Sequence, residues 1–162
     1  MNRIALLVTA LAGTAAAPVN ASAQSADTLL SVNRFLDYET VAEPVASPDG
    51  AQVIFIRRSV DKMKDTFETA LWIMNADGTK QRFLVKGSGA VWSPDGTRIA
   101  FLAEGEPGGP QIQVRYMDAE GAVTQVTKVM KAPGSLRWSP DGRWIGFSTL
   151  VPSEPAWRID MP

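Results

Sequence analysis

The chain has 162 residues, 45% of them hydrophobic, with 16 Lys and Arg against 17 Asp and Glu and a formal net charge of −1. That balance excludes a strongly basic nucleic-acid binder and is ordinary for one soluble domain. Cysteine and histidine are both absent, which excludes disulfides, a thiolate nucleophile, Cys-based metal sites, a lipid-attachment cysteine and an imidazole base for a serine nucleophile.

The N-terminus reads Met1-Asn2-Arg3, then an apolar run from Ile4 to Leu11, then small residues ending in Ala21-Ser22-Ala23. This pattern predicts a secretory signal peptide over 1–23 with cleavage before Gln24, hence a periplasmic or secreted protein with no membrane attachment once cleaved. The apolar run is shorter than the roughly 20 residues that a membrane-spanning helix needs. Residues 24–37 form a lead-in segment. In it Leu29, Leu30, Val32, Phe35 and Leu36 share one face of a short helix, with Asp27 as its N-cap, expected to lie against the domain that follows.

From residue 38 onward one tetrapeptide sets the organisation. It stands at Ser47-Pro48-Asp49-Gly50, Ser93-Pro94-Asp95-Gly96 and Ser139-Pro140-Asp141-Gly142, at two intervals of 46 residues. A fixed period of this size marks a repeat architecture. Proline presets φ for a turn, Asp and Gly suit the next two positions, and the serine can take a backbone hydrogen bond, so each copy is a hairpin tip. The runs that follow, Val53–Ile56, Ile99–Leu102 and Trp144–Phe147, are apolar on both faces of a strand and predict burial on both sides.

Blade one (about 38–87) has its first strand within Tyr38–Ala46 and a polar loop over Ser59–Thr69. Its third strand is Leu71–Met74, its turn Asn75-Ala76-Asp77-Gly78 and its fourth strand lies near Phe83–Val85. Blade two (about 88–131) repeats the order with a Gly- and Pro-rich loop at Glu104–Pro110, strand Ile112–Tyr116, turn Asp118–Gly121 and strand Val123–Val129. Partial blade three (about 132–162) reaches Trp157–Pro162 where a third strand is due. The expected fold is all-β: a partial β-propeller of about two and a half four-stranded antiparallel blades, preceded by the signal peptide and the short helix.

No residue here makes a catalytic, cofactor-binding or metal-binding pattern. Trp72, Trp92, Trp138 and Trp144 fall at strand or repeat-equivalent positions and read as blade packing. Asp49, Asp95 and Asp141 read as turn residues rather than as calcium ligands or catalytic acids. Gly87-Ser88-Gly89 is the nearest approach to a nucleophile elbow, and it is only a glycine pair ahead of a strand.

The W-S-P-D-G form at Trp92–Gly96 and Trp138–Gly142, the run Leu71–Gly78 and Ser59-Val60-Asp61 resemble the propeller of secreted prolyl oligopeptidase family serine peptidases, closest to the acylaminoacyl-peptidase and dipeptidyl-peptidase branch. The resemblance covers about residues 35–162. It implies that further C-terminal blades and an α/β-hydrolase domain with a Ser-Asp-His triad complete the protein, that the propeller gates entry of short peptide substrates, and that this chain is a fragment inactive alone. The same PD40-type repeat occurs in TolB-like periplasmic propellers, so a protein-binding scaffold is the alternative. A ring of several copies is a third reading.

Overall fold

The computed structural model describes residues 31–118 and 120–153, and everything below refers to these. The signal peptide, Asp27, Leu29, Leu30 and the Trp157–Pro162 stretch lie outside the described residues. No described helix is long and apolar enough to cross a membrane.

The lead-in helix is α1 (Val32–Leu36). Ser31 sits at its start, its Oγ accepting from the Arg34 N–H at 3.2 Å in the usual manner of an N-capping hydroxyl. Its apolar face is not packed as expected: Val32 and Phe35 are 76% and 61% exposed.

Three antiparallel sheets follow. The first contains β1 (Thr40–Ala46), β2 (Gln52–Asp61), β3 (Thr66–Asn75) and β4 (Arg82–Lys86) in sequence order. The second contains β5 (Ser88–Trp92), β6 (Arg98–Glu104), β7 (Pro110–Tyr116) and β8 (Val123–Gln125), and the third pairs β9 (Gly134–Trp138) with β10 (Ile145–Ser148). The first strands of successive sheets are neighbours, β1 beside β5 and β5 beside β9. Meandering four-stranded sheets stacked face to face with their first strands together are propeller blades.

Alternation along the strands explains the stacking. Ile54 and Ile56 of β2, with Leu71 and Ile73 of β3 and Leu84 of β4, face blade two and meet Ala90, Ile99 and Phe101. On the opposite face of blade two, Ala100, Ile112 and Val114 meet Leu136 of blade three, with Val91, Leu102, Trp138 and Ile145 at the margin. Ile99, Ala100 and Phe101 are all fully buried, so β6 is covered on both faces. Each fully buried Ile, Leu or Phe side chain among these contributes about 1.5–3 kcal/mol through burial, and an alanine methyl less. The Trp144–Phe147 run behaves differently, since Trp144 is 72% and Phe147 40% exposed.

Two segments depart from the sequence expectation. The Ser59–Thr69 stretch is not a loop but a long hairpin arm, paired continuously from Gln52↔Asn75 to Asp61↔Thr66. Its charges belong to exposed strand faces and to the short tip, where the Asp61 carboxylate accepts from the Met63 and Lys64 N–H groups at 3.0 and 3.2 Å. The fourth strand of blade two stops at Gln125 instead of Val129. Beyond it, the buried Gln111 side chain takes over the ladder: its Nε2 donates to the Val129 carbonyl at 2.8 Å, and its Oε1 accepts from Val129 N–H and Thr127 Oγ1, both at 3.0 Å.

Candidate functional site

The three tetrapeptides fold alike. In each, the serine Oγ accepts the N–H of the residue five positions on, Gln52, Arg98 or Trp144, at 2.9 Å. The same hydroxyl donates to the carboxylate of Asp49, Asp95 or Asp141, which also accepts the N–H of Ala51, Thr97 or Arg143 at 3.1 Å. Gly50, Gly96 and Gly142 close the turns at φ of 71°, 69° and 67°, a left-handed conformation that costs glycine little. Pro48, Pro94 and Pro140 are exposed on the turn crests.

These turns stack on one another. A methyl group placed on Gly96 would meet Pro48 Cδ at 3.6 Å, and one on Gly142 would meet Pro94 Cδ at 3.6 Å. Beneath each contact an indole bridges the blades: Trp92 Nε1 donates to the Val45 carbonyl at 3.3 Å and Trp138 Nε1 to the Val91 carbonyl at 3.2 Å. Between blades two and three, Arg98 adds a clasp, its guanidinium 5.0 Å from the Trp138 ring centre and donating to the Gly142 carbonyl at 3.1 Å. The tryptophans Trp92 and Trp138 are therefore packing residues with a polar handle, while Trp72 packs edge-on against Phe83 under the Arg57 guanidinium.

The serine hydroxyl is the main reason that the Asp95 carboxyl is lowered to about 2, with the Thr97 N–H next. Asp49 and Asp141 are lowered likewise, by Ser47 and Ser139 respectively. One oxygen of each carboxylate, Oδ1, takes both turn hydrogen bonds, and among the described residues no three acidic, His or Cys side chains cluster as a metal site. Ser88 of the Gly87-Ser88-Gly89 stretch opens β5 opposite Leu102. The chain has no histidine, so no described serine has an imidazole partner.

A groove of about 650 Å³ lies where the β2–β3 arm approaches the Glu104–Pro110 loop, with Glu68, Lys86 and Glu104 on its walls. A second, about 420 Å³, opens between β7–β8 and β10, lined by Val114, Tyr116, Val126, Trp144 and Phe147 among others. Sequence reasoning foresaw the turns but not the indole-to-carbonyl bridges, whose partners lie 47 residues apart. The signal for them was present in the shared tryptophan ahead of two of the three turns.

The described fold and site define a set of propeller blades joined through stacked turns. No protein-family model matches the chain. It is 29% identical over 114 residues to the uncharacterized peptidase YuxL of Bacillus subtilis (strain 168), an alignment taking in 65% of this chain and 17% of that protein. An acylaminoacyl peptidase solved in complex with Z-Gly-Gly-Phe-chloromethyl ketone superposes with a TM-score of 0.61 at 21% identity, covering 79% of this chain and 21% of that one. The β-propeller domain of the Trilobed protease from Pyrococcus furiosus gives a TM-score of 0.58 at 21% identity, covering 68% and 34%. The chain is thus related in sequence to a peptidase and carries the blade fold of peptidase propellers, and it spans about a sixth of the curated relative that it matches.

Proposed function

We propose that this chain is the propeller portion of a secreted serine peptidase of the prolyl oligopeptidase family, in which the blades restrict access to a separate α/β-hydrolase domain so that short peptides enter and folded proteins do not. The observation that supports it most is the conjunction of two complete blades, joined to each other by the Trp92 bridge and to blade three by the Trp138 bridge, with sequence similarity to a peptidase over 114 residues of the chain. Export is supported by the Arg3, apolar-run and Ala21-Ser22-Ala23 pattern. With no histidine in the chain, the acid–base partner of such a serine comes from polypeptide outside these residues.

An antibody raised against the blades, applied to the periplasm and medium of the native source, tests the reading. The expected antigen is several times larger than this chain's 17.5 kDa, begins at Gln24 and is labelled by a serine-reactive phosphonate probe. The isolated chain is expected to take no label and to cleave neither acylaminoacyl nor Xaa-Pro substrates. An unlabelled antigen held in the cytosol, or one co-purifying stoichiometrically with envelope proteins, would overturn the peptidase reading.

A further inference from the structure

We propose that the exposed end of the turn stack on blade three is a docking station for one more Trp-Ser-Pro-Asp-Gly hairpin, its indole on the Arg137 carbonyl and its glycine on the Pro140 ring. This rests on the propeller reading above and adds to it the partner and the contacts.

The described blades obey a translation rule. Each step from one blade to the next uses an indole donating to the carbonyl two residues ahead of the preceding turn's serine, first Val45 and then Val91. It also sets the new turn's glycine against the preceding proline, first Pro48 and then Pro94. Arg137 and Pro140 are the next members of both series. Arg137 is paired across the ladder with Gly146 as Val45 is with Ile54 and Val91 with Ala100, so its carbonyl has the same relation to the strand beside it. Both Arg137 and Pro140 are exposed.

The face onward from blade three also differs in composition from those before it. Where blade one presents Val45, Ile54 and Ile56, and blade two Val91, Ala100 and Leu102, blade three has Arg137, Gly146 and Ser148. At these three positions blade three offers less apolar side chain than its predecessors, so recognition leans on the turn-stack contacts, and Gly146 and Ser148 leave room for larger side chains from the occupant. A second copy of this chain presenting its first turn is a poor fit, because Ala46 stands where the indole is required.

The test titrates isotope-labelled full chain with a cyclised hairpin peptide copying Ala90–Leu102, followed by backbone amide NMR. The expected shifts centre on Arg137, Trp138 and the Ser139–Gly142 turn. A peptide with Phe in place of its tryptophan should bind several-fold more weakly, as befits the loss of one neutral hydrogen bond. Pro140→Ala in the chain should weaken binding comparably, whereas Pro48→Ala, which alters an equivalent turn, should leave it unchanged. Equal affinity for the Phe peptide, shifts centred elsewhere, or no binding at millimolar peptide would each overturn the proposal. The readout needs no catalysis, so a failed peptidase assay and a failed docking experiment are separate results.

Discussion

Ser47, Ser93 and Ser139 each use one oxygen as both acceptor and donor, and that doubling ties the turn crest to the strand that follows. Ser93 is fully buried, so Ser93→Ala should leave the Arg98 N–H without its partner and cost about 1–3 kcal/mol in urea denaturation. Ser139→Ala, on the more open third turn, should cost clearly less. The aspartates predict an acid limb. A folded-state pKa held below the unfolded value of about 3.9 contributes stability that is present above that value and lost as pH falls toward the folded one. For Asp95, lowered to about 2, the loss falls between about pH 4 and 2; Asp49 and Asp141 change in the same direction. Melting temperature measured from pH 6 to 2 should therefore drop, and Asp95→Asn should be less stable at pH 6 with a shallower acid decline. The turns were legible because Pro, Asp and Gly announce their backbone angles locally. The matching strand irregularity was not: Glu43, Gly89 and Ser135 all sit at positive φ four residues before their turns, yet only the glycine signals it.

Cross-strand and side-chain pairing, which composition does not announce, decided the elements that sequence reading misplaced. In the β2–β3 arm, Arg58, Asp61, Thr66 and Glu68 look like loop residues by composition, but each faces a partner across a ladder that needs no covered face to close its backbone hydrogen bonds. Apolar runs such as Ile54–Ile56 and Ile99–Phe101 were readable because burial on both faces leaves no polar alternation. The end of β8 was unreadable for the opposite reason, since Gln111, a polar residue in a strand, gives no hint that it will be buried and will stand in for backbone. Gln111→Leu keeps the volume and removes three hydrogen bonds, to Thr127 and to both backbone groups of Val129. It should cost about 2 kcal/mol or more. Amide exchange at Val129 should accelerate selectively while the β2–β3 arm keeps its protection; uniform acceleration would mean that Gln111 supports the fold globally rather than this segment.

Stability in stacked repeats comes largely from the interfaces between neighbours, and here the two interfaces are unequal. Blade one meets blade two through eight buried residues, whereas blade two meets blade three through four. At the weaker junction the groove beside β10 leaves Tyr116, Val126, Trp144 and Phe147 between 40% and 72% exposed. Among the described residues β10 pairs only with β9, so one edge of it presents unpaired backbone next to that apolar surface. An edge of this kind templates association between chains. The purified polypeptide of residues 24–162 should therefore associate reversibly with rising concentration in light scattering and bind a hydrophobic dye. The third sheet should lose its exchange protection before the first two. Replacing both Trp144 and Phe147 by Lys removes apolar surface and adds charge at the edge, and should shift the chain toward monomer with little change in the melting of blades one and two. A dye-silent monomer with a single sharp transition would show that blade three is as firmly held as its neighbours, and that exposure at this groove does not govern how the chain behaves in solution.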